Sequence, residues 1–185
     1  MKKLLTTLLA LFMVLSLTAC GNKAESTVKT FLDNCKKGNL EEFFVDEDEL
    51  SEEEYGEFLK ALLQHMDYKI EKSEKISDDE YTVTTTITTI DMSTAFTDIF
   101  TSYFNWAVTQ AMSGTEVSDE ELAAKFKELL NQAIEDNKDT TKSFTVDIKV
   151  EKNDEGKWEI DMEETLVDAL TGGFISSASN FSLDE

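Results

Sequence analysis

The spacing of apolar residues switches in blocks between the helical period and the strand period. Val28, Phe31, Leu32 and Cys35 fall at i, i+3, i+4 and i+7, which is one face of a helix. This predicts a first helix from about Ala24 to Lys37, stopped by Gly38-Asn39. Leu40 to Val45 is expected to form a short helical turn carrying Phe43 and Phe44. Ser51 and Glu54 then make a capping box. Behind it Tyr55, Phe58, Leu59, Leu62 and Met66 keep helical spacing, with Glu52, Glu53, Glu57, Lys60 and Gln64 opposite.

From Tyr68 the period becomes two. Tyr68 and Ile70 open a strand to about Ile76, Ser77-Asp78-Asp79 turns, and Tyr81–Ile90 is rich in Thr, Val and Ile. Tyr81, Val83, Thr85 and Ile87 share a face of this hairpin. Helical spacing returns at Met92 with Phe96, Ile99, Tyr103, Ala107 and Ala111, widened by Phe100, Phe104 and Trp106. Ser113-Gly114-Thr115 breaks it. Ser118 and Glu121 form a second capping box, and Leu122, Phe126, Leu129, Leu130 and Ala133 mark a helix to about Asp136. Phe144, Val146, Ile148 and Val150 alternate on a strand. Asn153-Asp154-Glu155-Gly156 turns, and Trp158, Ile160 and Met162 alternate on its partner. Leu166–Leu170 is a short segment ended by Gly172-Gly173, and a polar tail follows over 174–185.

Helices first, a hairpin, a helical pair and a second hairpin predict an α+β fold rather than alternating βα units. The expectation is one domain over residues 24–173, with an antiparallel sheet packed against N-terminal helices and a helical insertion at about 92–136. The clean alternation predicts one sheet face packed and one wet.

The N-terminus changes the picture. Lys2 and Lys3 precede an apolar run, Leu4–Ala19, of 16 residues. That is short of the roughly 20 residues of a membrane span and has the layout of an export signal. Leu17-Thr18-Ala19-Cys20 resembles the bacterial lipobox, and Gly21 follows it. The resemblance implies cleavage of residues 1–19, a diacylglyceryl thioether on Cys20, residues 20–23 as a short tether, and a domain held on the outer face of a cell membrane. Two acyl chains anchor stably where one binds only marginally.

The net charge is -22, and all seventeen basic residues are lysines. This argues against nucleic acid, whose binding rests on basic patches and Arg contacts, and against docking on anionic headgroups through protein charge. With Cys20 assigned to lipid, one cysteine remains. That excludes a disulfide framework, and Cys35 reads as a core residue on its helix face.

Catalytic chemistry finds little to use. His65 is the sole histidine, so every Ser/His or Cys/His arrangement depends on it. Ser26-Thr27-Val28-Lys29 matches S-x-x-K but lacks the companion S-D-N and K-T-G elements. No phosphate loop, dinucleotide-binding glycine pattern or H-E-x-x-H occurs, and no cofactor or structural metal is implied. Asp46–Glu49 reads as a solvated acidic run rather than a Ca²⁺ loop, lacking the EF-hand glycine and terminal glutamate. The 39 acids place some carboxylate pairs at glycosidase spacing in any fold, without selecting one.

The helix ending in Lys37-Gly38-Asn39-Leu40-Glu41, the Thr-rich strand after Asp79, and Gly156-Lys157-Trp158-Glu159-Ile160-Asp161 are similar to small bacterial lipoproteins of cystatin-like or NTF2-like fold. That resemblance implies no shared catalytic residues, and the helical pair at 92–136 departs from it. The aromatic stripe is the remaining candidate. Phe96, Phe100, Tyr103, Phe104 and Trp106 exceed what one helix face needs. They either pack against the next helix and the sheet or form a cavity or groove for a small apolar ligand or an envelope protein. The expected function is a non-catalytic, membrane-anchored binding module. The alternatives are an envelope hydrolase using carboxylates and a structural or stress-related envelope protein.

Overall fold

The computed structural model describes residues 23–39 and 52–181. The described part of helix α1 covers residues 23–37. The order continues with α2 (Glu52–Leu63), β1 (Asp67–Lys75), β2 (Glu80–Ile90), α3 (Met92–Ser113), α4 (Asp119–Asn137), β3 (Thr141–Lys152), β4 (Trp158–Ile160), α5 (Glu164–Leu170) and α6 (Phe174–Phe181). The fold is α+β. Among the described residues the sheet has four antiparallel strands in the order β1-β2-β3-β4.

The sheet has two chemically distinct faces because side chains alternate along each strand. Tyr81, Val83, Thr85 and Ile87 pair in register with Val150, Ile148, Val146 and Phe144. These residues form the inner face; Phe144 is partly buried, and the rest are buried with Val28, Phe31 and Leu32 of α1, Leu62 and Leu63 of α2, and Leu166, Ala169 and Leu170 of α5. The outer face carries Thr82, Thr84, Thr86 and Thr88 opposite Lys149, Asp147, Thr145 and Ser143. Hydroxyls bridge it across the strands. Thr84 donates to Asp147, Thr86 donates to Glu71 at 3.2 Å, and Thr88 and Ser143 lie 2.7 Å apart. A register shift between Ile70 and Lys72 sets β1 on the same plan. Before it Tyr68 and Ile70 face inward, and after it Ser73 does, so the extra residue keeps Lys72 and Glu74 on the wet side.

Helix α1 crosses the inner face diagonally. Near its C-terminus Lys36 pairs with Asp67 at 3.1 Å, and the Tyr68 hydroxyl donates to Asp33 at 2.7 Å. Burial, then the Asp33 carboxylate, push the Tyr68 phenol far above its ordinary range. Toward its N-terminus, residues 26–31 lie beside β4.

The insertion between β2 and β3 is a helical hairpin, α3 and α4, both of whose ends return to one point. Asp91 donates its amide to Thr140 at 2.9 Å, one step beyond the last register pair, Ile90 with Thr141. The Gly172 carbonyl accepts the Met92 and Ser93 amides at 3.0 and 3.1 Å. Those N–H groups have no partner inside their own helix, so the turn between α5 and α6 caps α3.

The chain differs from the sequence reading at its edges. β4 stops at Ile160 and excludes Met162, because Glu163 already accepts the amides that open α5. Residues 174–181 form helix α6. Phe174, Ile175, Ala178 and Phe181 keep helical spacing over these eight residues, which reading the segment as a polar tail overlooked. Phe174 anchors the helix against Phe96 and Phe58, at 5.3 and 6.4 Å between ring centroids. The Leu40–Val45 turn, the acidic run Asp46–Glu49 and Ser51 of the first capping box lie outside the described residues.

Two substitutions test this packing by urea unfolding. Gly172 sits at φ +68°, and a Cβ there would come within 2.1 Å of the Ile90 carbonyl oxygen. Gly172→Ala should destabilise by about 3 kcal/mol or prevent folding; a change under about 0.5 kcal/mol would contradict the close approach. The Thr89 hydroxyl is buried without a hydrogen-bond partner among the described residues. Thr89→Val keeps the shape and removes the unsatisfied group, so it should raise stability by about 1 kcal/mol; a loss of that size would reveal a bond the hydroxyl makes.

Candidate functional site

Helix α3 is the chemical exception in an acidic chain. Its 22 residues hold one charge, Asp98, and its polar side chains are otherwise Ser, Thr, Asn and Gln. The helix is well terminated. Asp91 accepts the Ser93 amide at 3.1 Å as N-cap, and Gly114 at φ 72° provides the left-handed C-cap. Its partner α4 begins with the expected capping box. The Ser118 amide donates to Glu121 at 2.9 Å and the Glu121 amide donates to Ser118 Oγ at 3.3 Å. The bonds from Ser118 hold the Glu121 carboxyl below its ordinary pKa.

The first turns of α3 belong to the core, where Met92, Ala95 and Ile99 are buried with Leu130, Ala133 and Ile134 of α4. Beyond them the two helices form an arm. The structure divides the five predicted aromatics between two roles. Phe96 packs edge-on against Phe174 at 5.3 Å, Tyr103 packs edge-on against Phe126 of α4 at 5.7 Å, and Trp106 lies 6.1 Å from Tyr103. Phe96 thus holds the arm to the body and Tyr103 holds its helices to each other, with Trp106 beside Tyr103 on the same helix. Phe100 and Phe104 stack at 6.4 Å and turn outward, with 38% and 57% of their surface exposed. Val108 and Met112 extend the same i+4 row and are 38% and 84% exposed. Sequence reasoning missed these two because it stopped at aromatic residues; the i+4 spacing from Phe104 was the available signal. The result is an apolar ridge along an uncharged helix.

A second feature had no sequence signal, since it joins residues some 130 positions apart. A cleft of about 710 Å³ lies between α1 and β4, lined by Ser26, Thr27, Thr30, Phe31, Trp158, Glu159 and Ile160. Its aromatic wall is fixed on two sides. Trp158 meets Tyr81 edge-on at 5.2 Å, and the Lys152 ammonium sits 4.9 Å from the indole centroid. The Thr27 and Thr30 hydroxyls donate to carbonyls one turn back in α1, at 3.0 and 2.8 Å. The cleft therefore combines an indole, hydroxyl oxygens and one carboxylate.

Of the other candidates, Ser26 is exposed on α1 at the lip of this cleft. Lys29 is exposed on the same helix, His65 is exposed after α2, and Cys35 is buried at 1% exposure. Leu17, Thr18, Ala19 and Cys20 lie outside the described residues. Among the described residues no three His, Cys, Asp or Glu side chains gather as a metal-binding group, and no helix is long and apolar enough to cross a membrane.

If the ridge serves recognition rather than folding, truncating it should leave stability intact. Phe104→Ser and Met112→Ser should each move unfolding free energy by no more than about 0.5 kcal/mol, while Ile99→Ala in the buried half of α3 should cost about 2–4 kcal/mol. Equal losses at all three positions in urea titrations would make the ridge part of the core.

Comparison with known proteins adds a family. Residues 18–175 match the family described as a domain of unknown function, DUF5105. No curated protein matches the chain. Among solved structures, a candidate lipoprotein (ycdA) from Bacillus subtilis is 23% identical over 81% of this chain and 46% of that one, with a TM-score of 0.36. This chain thus spans about half the length of that protein, 46%. The family match takes in helix α1, the whole sheet, the arm and α5, and by it this chain belongs to the DUF5105 family.

Proposed function

We propose that this protein is a lipid-anchored, extracytoplasmic binding module with no catalytic role, whose α3–α4 arm receives a protein partner. The observation that carries this reading is the ridge Phe100-Phe104-Val108-Met112, exposed on a helix with a single charge in a chain of net charge -22. Large apolar side chains aligned on a protruding element mark interaction surfaces. The anchoring half of the reading rests on the charged start, the short apolar run and Leu17-Thr18-Ala19-Cys20. The family is one of unknown function and neither adds nor removes a partner. The order of helix and strands is compatible with a cystatin-like or NTF2-like body carrying an inserted arm.

A second reading, a small ligand, is supported by the cleft beside Trp158. One preparation separates the two. The protein is extracted with its lipid from the source membrane and weighed intact and native. Cys20→Ala should remove the acyl mass, retain the leader and abolish flotation with membranes; normal acylation of that variant would refute the anchor. A photo-crosslinker at Phe104 should yield a protein adduct. A small added mass that survives Phe104→Ser, with no protein adduct, would move the function to the cleft.

A further inference from the structure

Resting on that reading of the arm, we propose that the partner of the ridge is a second copy of this chain, paired ridge to ridge with both arms pointing to the same side of the membrane.

The N-terminal part of α1 and the arm lie at opposite ends of the sheet. Residues 26–31 of α1 line the cleft with Trp158 and Ile160, and Ile160 is level with Val150 and Tyr81. The arm departs at Ile90 and Thr141, nine residues further along β2, or about 30 Å at the rise of a strand. Only Gly21 and Asn22 separate Cys20 from Lys23 in the chain. An extended link of that length reaches about 10 Å, so the membrane lies against the cleft end of the body. A bilayer is thus disfavoured as the ridge's occupant, and a partner outside the membrane is favoured.

Charge then selects among proteins. Two copies of a chain of net charge -22 repel across most of their surfaces. Helix α4 alone carries eight charged residues, whereas α3 carries Asp98 only. The ridge is the face on which two copies can approach without burying like charges. Its flank is polar and uncharged along Thr101, Asn105 and Thr109, with Asp98 on the same line nearer the body, so pairing over the outer part of the helix desolvates no ion.

Size sets the strength. The four ridge residues expose on the order of 300–400 Å² of apolar surface, the size at which a patch on a monomer marks an interaction site. With their flanks, pairing buries roughly 1,000–1,200 Å² in total, which is the range of weak, reversible interfaces. Such a pair is sparse in dilute solution. Anchoring to one membrane confines both copies to a thin layer and raises their effective concentration. It also fixes their sense, because both anchors must enter the same bilayer. The ridges therefore meet in parallel, with Val108 near Val108 of the other copy about a two-fold axis along the membrane normal.

The test uses the lipidated full-length protein, first alone in phosphatidylcholine vesicles and then in source membranes. Val108→Cys, oxidised briefly, should give a disulfide-linked product of twice the monomer mass in both. Adding Phe104→Glu should lower its yield at least ten-fold, with the circular dichroism spectrum unchanged. A cysteine on the exposed far face of α4, Gln132→Cys, controls for chance collision; a yield equal to that of Val108→Cys overturns the pairing. Cross-linking only to a product of another mass, and only in source membranes, overturns the second copy as partner but leaves the binding module standing. No product in either setting, or quenching of a probe on Cys at 108 by brominated lipid, overturns both.

Discussion

The carbonyl of Gly172 takes the first two amides of α3 at the spot where Ile90 ends β2, and one residue on Asp91 bonds Thr140 at the entrance to β3. The rest of the architecture depends on this knot. β2 and β3 form the longest pairing of the sheet, yet fifty residues, most of them in α3 and α4, lie between them in the chain. Closing so long a loop is entropically unfavourable. The closure becomes tolerable when the insertion leaves and re-enters at one point, so that the strands pair as though directly connected. A side chain at 172 would push that point apart, because the glycine's φ of +68° and its contact with the Ile90 oxygen leave no room for a Cβ. The same turn starts α6, whose Phe174 ring reaches Phe96 at the foot of the arm. One backbone junction therefore sets the sheet register and the direction in which the arm departs.

Stability in this body comes from apolar packing rather than from its charges. The ion pairs are exposed at one or both partners, as in Lys75–Asp78, Lys127–Glu57 and Lys152–Asp79, and such pairs contribute little. Lys127 lowers the pKa of Glu57 by hydrogen bond and charge, and Lys75 does the same for Asp78, without either acid being buried. The inner face instead brings Val83, Ile87, Ile148 and Val150 against Leu32, Leu62 and Leu170, all at or below 1% exposure. The Thr-rich outer face supplies β-branched residues suited to a strand and satisfies their hydroxyls across the register.

Much of this was legible in the sequence because the signals were local. Period two over Tyr81–Ile90 and Phe144–Val150, the Ser118–Glu121 box and the Gly114 stop place elements without knowledge of the fold. What was illegible depends on distant partners. β4 is three residues long because α5 must start at Glu164, and α6 docks where Phe174 finds Phe58 and Phe96. The stripe on α3 was visible, but its division was not. Tyr103 faces α4 and Phe104 faces water only because α4 returns along one side of the helix. Register and helix direction decide that, and neither is written in the spacing of apolar residues.

The exposed row on α3 runs against the solution used everywhere else in the molecule. At each other long element an apolar face is covered and the opposite face is charged or hydroxylated, as α4 shows with buried Leu130 and Ile134 beneath Glu128 and Glu135. Covering Phe104, Val108 and Met112 within the chain, or replacing them by the Glu and Lys common elsewhere, would remove an aggregation liability at no evident loss of packing. Their retention on a long helix with a single charge cannot be traced to the core, since the contacts that fix the arm are made by Phe96, Ile99, Tyr103 and Phe126 on its other side. A feature that folding does not require and solubility disfavours is most simply explained by what it contacts outside the chain. The chain's net charge of -22 then acts as the counterweight, disfavouring contact through its charged faces.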